Sequence, residues 1–134
     1  MEKIFFDKKN RLYSYILFDY DIQKLYFYSG NIAFEFFKKN NCIVYYLDNP
    51  RKEIRAEAFF NENKILVYFV EYNSVKDLFN NFYNNIKYEI FYKDSQYIGW
   101  KYLSLMNNNY LKQDISKEEI DDILKKFYLR DNRK

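Results

Sequence analysis

One pattern recurs along this chain: Phe5-Phe6-Asp7-Lys8-Lys9-Asn10-Arg11-Leu12, then Phe36-Phe37-Lys38-Lys39-Asn40-Asn41-Cys42-Ile43, then Phe59-Phe60-Asn61-Glu62-Asn63-Lys64-Ile65-Leu66. It returns more loosely as Phe91-Tyr92-Lys93-Asp94-Ser95-Gln96-Tyr97-Ile98. Two aromatics close an apolar run, a polar cluster follows, and another apolar run begins. That is the unit of a β-hairpin, in which the polar residues turn one strand into the next. The spacing of the middle copies is near the period of stacked hairpin repeats.

Segments dense in β-branched and aromatic residues predict strands at about Lys3–Phe6, Leu12–Tyr20, Lys24–Tyr28, Ile32–Phe37, Ile43–Leu47, Ile54–Phe60, Ile65–Tyr72, Lys87–Tyr92 and Tyr97–Leu105. Asn and Asp in the intervening clusters tolerate left-handed backbone, so tight turns are available with 2 glycines in the whole chain. Ile65–Tyr72 is apolar on both faces and predicts a central, doubly covered strand. Apolar residues at helical spacing predict two helices. The first is Val75–Ile86, with Ser74 as cap; the second is Lys117–Leu129, opened by a capping box of Ser116 and Glu119. Residues 31–39 and 49–58 also carry helix signals, and strand is the reading preferred for both. The expected fold is a single α+β domain over 1–130. It is a largely antiparallel twisted sheet of β-hairpins with the two helices packed on it, and residues 131–134 form a frayed tail.

Chemistry is constrained by what is missing. The chain has no histidine and one cysteine, and those two residue types supply most metal and acid–base constellations. Cys42 would need an activating base to act as a nucleophile and reads as a small buried hydrophobe. Asp19 with Asp21, Glu53 with Glu57, and Glu118, Glu119, Asp121 and Asp122 are the candidate carboxylates; a polar turn accounts for the first pair, Glu57 with Arg55 on the opposite face offers no nuclease-like spacing, and helix capping and ion pairs account for the last group. The sequence implies no metal and no cofactor, and predicts a protein that is not an enzyme.

Against that poverty stand 16 Tyr and 14 Phe in 134 residues. Lys, Asn, Tyr, Phe and Ile all have A/T-rich codons, so base composition accounts for part of this excess. Tyrosine nevertheless suits an interface, giving large area and a hydroxyl at small conformational cost. Net charge is +3, too little to imply a dedicated nucleic-acid binder. No apolar run approaches the ~20 residues of a membrane helix. The start does not read as a secretory signal, and a cytoplasmic location is expected.

The tracts Tyr26-Phe27-Tyr28-Ser29-Gly30-Asn31-Ile32 and Gly99-Trp100-Lys101-Tyr102 resemble pieces of MORN-type hairpin repeats, including the variant found in antitoxin-like bacterial proteins. The resemblance covers roughly half the chain. Such repeats carry a glycine in each unit, whereas this chain has only Gly30 and Gly99. Together these features predict a small non-enzymatic protein that binds and blocks a protein partner such as a nuclease or toxin. Immunity proteins, antitoxins and phage-encoded inhibitors of defence nucleases are the classes that fit. The alternative is a single-stranded nucleic-acid binder using basic turns and exposed rings. Lys38, Lys39, Arg51, Lys52, Arg55, Tyr97 and Trp100 are the candidate binding residues.

Overall fold

The computed structural model describes residues 24–76, 82–104, 110–127 and 129. Eight strands follow one another: β1 (Lys24–Tyr26), β2 (Ile32–Phe37), β3 (Cys42–Tyr46), β4 (Ile54–Phe60), β5 (Leu66–Lys76), β6 (Phe82–Lys93), β7 (Gln96–Ser104) and β8 (Tyr110–Asp114). They pair antiparallel in chain order, β1 to β8, in one 8-stranded sheet. A single helix among the described residues, α1 (Lys117–Lys126), follows the last strand.

Strands β2 and β4 have the bounds their composition predicts, so residues 31–39 and 49–58 contain strand, with a short 3-10 turn at Lys38–Asn40. The turns after Phe36-Phe37, Phe59-Phe60 and Phe91-Tyr92 all close hairpins, at one end of the sheet. Left-handed backbone at Asn41, Lys64, Asp94 and Ser95 makes these turns without glycine. The expected strands Lys3–Phe6 and Leu12–Tyr20, the first aromatic copy and the tail 131–134 lie outside the described residues.

The described residues of the expected helix Val75–Ile86 are strand, not helix. Val75 pairs with Tyr83 and Lys76 with Phe82, as the ends of the long strands β5 and β6. A 3.6-residue apolar stripe is also compatible with extended chain when β-branched and aromatic residues dominate it, and here the neighbouring ladder decides. Strand β8 was not foreseen: Tyr-Leu-Lys-Gln-Asp has neither a clean alternation nor an apolar run.

Alternation along each strand sorts the side chains onto two faces. One face gathers Leu25, Phe34, Phe36, Ile43, Tyr45, Ala56, Ala58, Phe69 and Ile90, and the buried side of α1 joins the same cluster through Ile120, Ile123, Leu124 and Phe127. The Phe127 ring lies 5.2 Å from that of Tyr45 on β3 and 5.0 Å from that of Phe69 on β5. It therefore sits over β4, where the small Ala56 and Ala58 leave room. Tyr45 donates a hydrogen bond to the Phe127 carbonyl at 3.1 Å, and Arg55 caps the ring from 4.7 Å. The helix is capped as expected, with the Ser116 hydroxyl accepting from the Glu119 N–H at 3.1 Å. It stops at Lys126 rather than Leu129, because Phe127 leaves the helical path to enter this core.

Candidate functional site

The face away from α1 is built differently. Register aligns Glu35, Val44, Glu57, Val70, Glu89, Trp100 and Asp114 in one row across β2 to β8. Glutamates thus recur on alternate strands, about 10 Å apart at the usual strand spacing. Beside them runs a row of Cys42, Phe59, Tyr68, Phe91 and Ile98. Ring centroids in and next to it are 5.8 Å apart for Phe59 and Tyr68, 4.7 Å for Tyr68 and Phe91, and 5.1 Å for Phe91 and Trp100.

A third row repeats in step with the glutamates. Tyr26 pairs with Ile32, Tyr46 with Ile54, and Tyr72 with Ile86. Just after each isoleucine the even-numbered strand carries one extra residue, Ala33, Arg55 or Lys87, as a β-bulge. Each bulge re-aims its own side chain and strengthens the local twist. It turns Arg55 onto the Phe127 ring and brings Lys87 to 3.7 Å from Glu71, the one buried acid among the described residues. Two residues after each bulge comes the glutamate, and two after that a phenylalanine. The unit reads Ile-x-x-Glu-x-Phe at Ile32-Ala33-Phe34-Glu35-Phe36-Phe37, Ile54-Arg55-Ala56-Glu57-Ala58-Phe59 and Ile86-Lys87-Tyr88-Glu89-Ile90-Phe91.

Each glutamate is held by a tyrosine on the next strand, diagonally across the hairpin. Tyr46 donates to Glu35 at 2.9 Å and Tyr72 to Glu57 at 2.6 Å. Glu89 accepts from Tyr68 at 2.5 Å, from Trp100 Nε1 at 3.2 Å, and from Tyr102. Burial works to raise the Glu89 pKa, but the bonds from Tyr102, Tyr68 and Trp100 and the charge of Lys112 outweigh it and hold the carboxyl below its ordinary range. Burial first, and the bonded glutamate second, push the hydroxyls of Tyr46, Tyr68 and Tyr72 well above the usual phenol range. These tyrosines therefore remain protonated and act as donors to the glutamates near neutral pH.

The foreseen binding residues are not brought together. Lys38 and Lys39 sit on the 3-10 turn at one end of the sheet, and Arg51 and Lys52 lie in the β3–β4 connection at the other. Arg51 is bound to Glu53 at 3.1 Å. Arg55 is spent on Phe127, on the helix face. Tyr97 also belongs to the helix face, where its hydroxyl donates to the Leu66 carbonyl at 3.0 Å. Trp100 alone joins the glutamate row, with Lys112 Nζ 3.5 Å from its ring centroid. Tyr97 and Trp100 meet only as walls of a cleft of about 540 Å³ beside Asp114 and Lys117.

Of the candidate carboxylates, Asp19 and Asp21 lie outside the described residues. Burial pushes the Cys42 thiol up to about 12, far from a reactive thiolate. Among the described residues no three His, Cys, Asp or Glu gather to hold a metal ion, and no helix is long and apolar enough to cross a membrane. Of this row, Glu57 is among the candidate carboxylates read from the sequence, whereas Glu35 and Glu89 are not, and the recurring Ile-x-x-Glu-x-Phe signature is the signal that marks all three. No family model, curated protein or solved structure matches this chain.

Proposed function

We propose that the chain is a non-enzymatic cytoplasmic protein that binds and blocks a basic protein partner, as an immunity protein, antitoxin or inhibitor of a defence nuclease does. The observation that carries this reading is the row of tyrosine-held glutamates flanked by stacked rings. Aromatic area supplies contact energy at protein interfaces, and fixed charge of one sign selects and steers a partner of the other. A nuclease or toxin that handles nucleic acid presents a basic surface, and Glu57, set among the stacked rings with no cation of the described residues paired to it, is a complementary anchor for it. A single-stranded nucleic-acid binder is the weaker reading, because the basic residues it would use are split between both ends and both faces of the sheet.

The test is affinity capture from lysate of the native host, with and without nuclease treatment, using the native chain and Glu57→Lys. A stoichiometric protein that survives nuclease and is lost by Glu57→Lys is expected. Recovery of nucleic acid alone, lost by the double variant Lys38→Glu/Lys39→Glu and kept by Glu57→Lys, overturns the proposal.

A further inference from the structure

The three glutamate units differ in who supplies the cation. In the first, Lys24 and Lys52 both place Nζ 3.9 Å from Glu35, and Lys52 also lies over the Tyr46 ring at 5.7 Å. In the third, Lys112 is the cross-strand partner of Tyr102 and lies over Trp100, with its charge acting on Glu89. The middle unit has no such lysine. Glu57 Oε1 accepts from Tyr72 at 2.6 Å, and no cation of the described residues pairs with this carboxylate. Where the third unit has Lys112 opposite its tyrosine, the middle unit has Ile86 opposite Tyr72, 37% exposed.

From this internal comparison we infer that Glu57, Tyr72 and Ile86 form the seat of a lysine side chain supplied by the partner protein. The inference rests on the partner-binding reading above and names what that partner inserts. The chemistry favours lysine over the other cations. Tyr72 occupies one carboxylate oxygen, leaving Oε2 as a single acceptor, which suits the point charge of an ammonium. A guanidinium fork asks for both oxygens. Ile86 and the Tyr72 ring offer apolar surface to a four-carbon stem, and the ring face adds cation–π attraction. Glu57 and Tyr72 are both half-buried, so the ammonium would be partly desolvated while its acceptor stays reachable.

The experiment is an NMR titration of the protein, labelled at isoleucine methyl groups and tyrosine rings, with acetylated hexalysine amide as probe. The same peptide acetylated on every Nε is the control. Saturable shifts at Ile86 and Tyr72 are expected with hexalysine and none with the control. Glu57→Gln, which keeps an acceptor for Tyr72, should weaken binding about tenfold. Ile86→Lys should abolish it, since the new side chain fills the seat from within as Lys112 fills its own. Unchanged thermal unfolding of both variants verifies that the fold is intact. Shifts centred on Tyr46 and Ile54 or on Tyr102, equal binding by Ile86→Lys, or no saturable shift would overturn the lysine seat. That failure is separable from failure of the broader reading: a captured partner lost by Glu57→Lys leaves the glutamate face as the binding surface even if hexalysine does not bind.

Discussion

The helix face and the glutamate face are made from alternate residues of the same strands, yet they obey different rules. On the glutamate face the three units repeat: Glu35, Glu57 and Glu89, each followed two residues later by Phe37, Phe59 or Phe91. On the helix face the residues flanking those glutamates differ, being Phe34 and Phe36, then Ala56 and Ala58, then Tyr88 and Ile90. A repeated surface can present a repeated feature to water or to a partner. A surface covered by one helix cannot, because a single lid is not periodic. The large–small–large sequence across β2, β4 and β6 is what lets Phe127 sit down over β4. Within this chain, packing demanded asymmetry and the charged row did not.

The contrast can be broken most severely at Phe127. It is 3% exposed and touches both Tyr45 and Phe69, so Phe127→Ala should cost about 3–5 kcal/mol in chemical denaturation. Next comes Gly99, where an added Cβ would meet the Glu89 carbonyl oxygen at 2.7 Å and Ile90 Cγ1 at 3.0 Å. Gly99→Ala should cost about 1–3 kcal/mol, because that backbone oxygen is not free to yield.

Glutamate-face substitutions should be milder. Glu89→Gln should lose about 1–2 kcal/mol at neutral pH, as charge-assisted bonds become neutral ones in a half-exposed site. Its sharper signature is in acid. The native Glu89 carboxyl has a depressed pKa, so its contribution is present above the unfolded value of about 4.3 and is lost as pH falls through the folded one. Stability of the native chain should therefore fall more steeply below pH ~4.3 than that of Glu89→Gln, and the two curves should converge. Smallest is Tyr72→Phe, expected to cost about 1 kcal/mol, since water can replace the lost donor at Glu57. A glutamate-face variant as damaging as Phe127→Ala would show that this face is also part of the core.

Much of the sheet was legible because hairpin ends are written locally. Aromatic pairs followed by Lys, Asn and Asp mark strand ends, and β2 and β4 match their predicted bounds. The Ser116 cap and acidic first turn announced α1 for the same reason. Residues 75–86 misled because a helical stripe of aromatics in an Asn-rich stretch is equally good strand sequence, and only pairing with a neighbour decides. Strand β8 was invisible because its place is set by β7. The glutamate row was hidden differently. Basic clusters and single aromatics drew attention, whereas the row depends on register between strands. Regular pairing brings Glu35, Glu57 and Glu89 into line, and the bulges, which local propensity does not reveal, add the isoleucines to the same face. The Ile-x-x-Glu-x-Phe recurrence overlaps the aromatic echo, offset from it by a few residues.

Among the described residues all strand pairings join chain neighbours, whereas the bond from Tyr45 to Phe127 spans 82 positions. On the ribosome the hairpins can zip up one by one as they emerge, each complete without waiting for distant sequence. The apolar face cannot be dried until α1 has been made. A chain stalled before Ser116 would lack the helix that packs on Phe69, Ile90 and their neighbours, and apolar surface left open in this way favours aggregation.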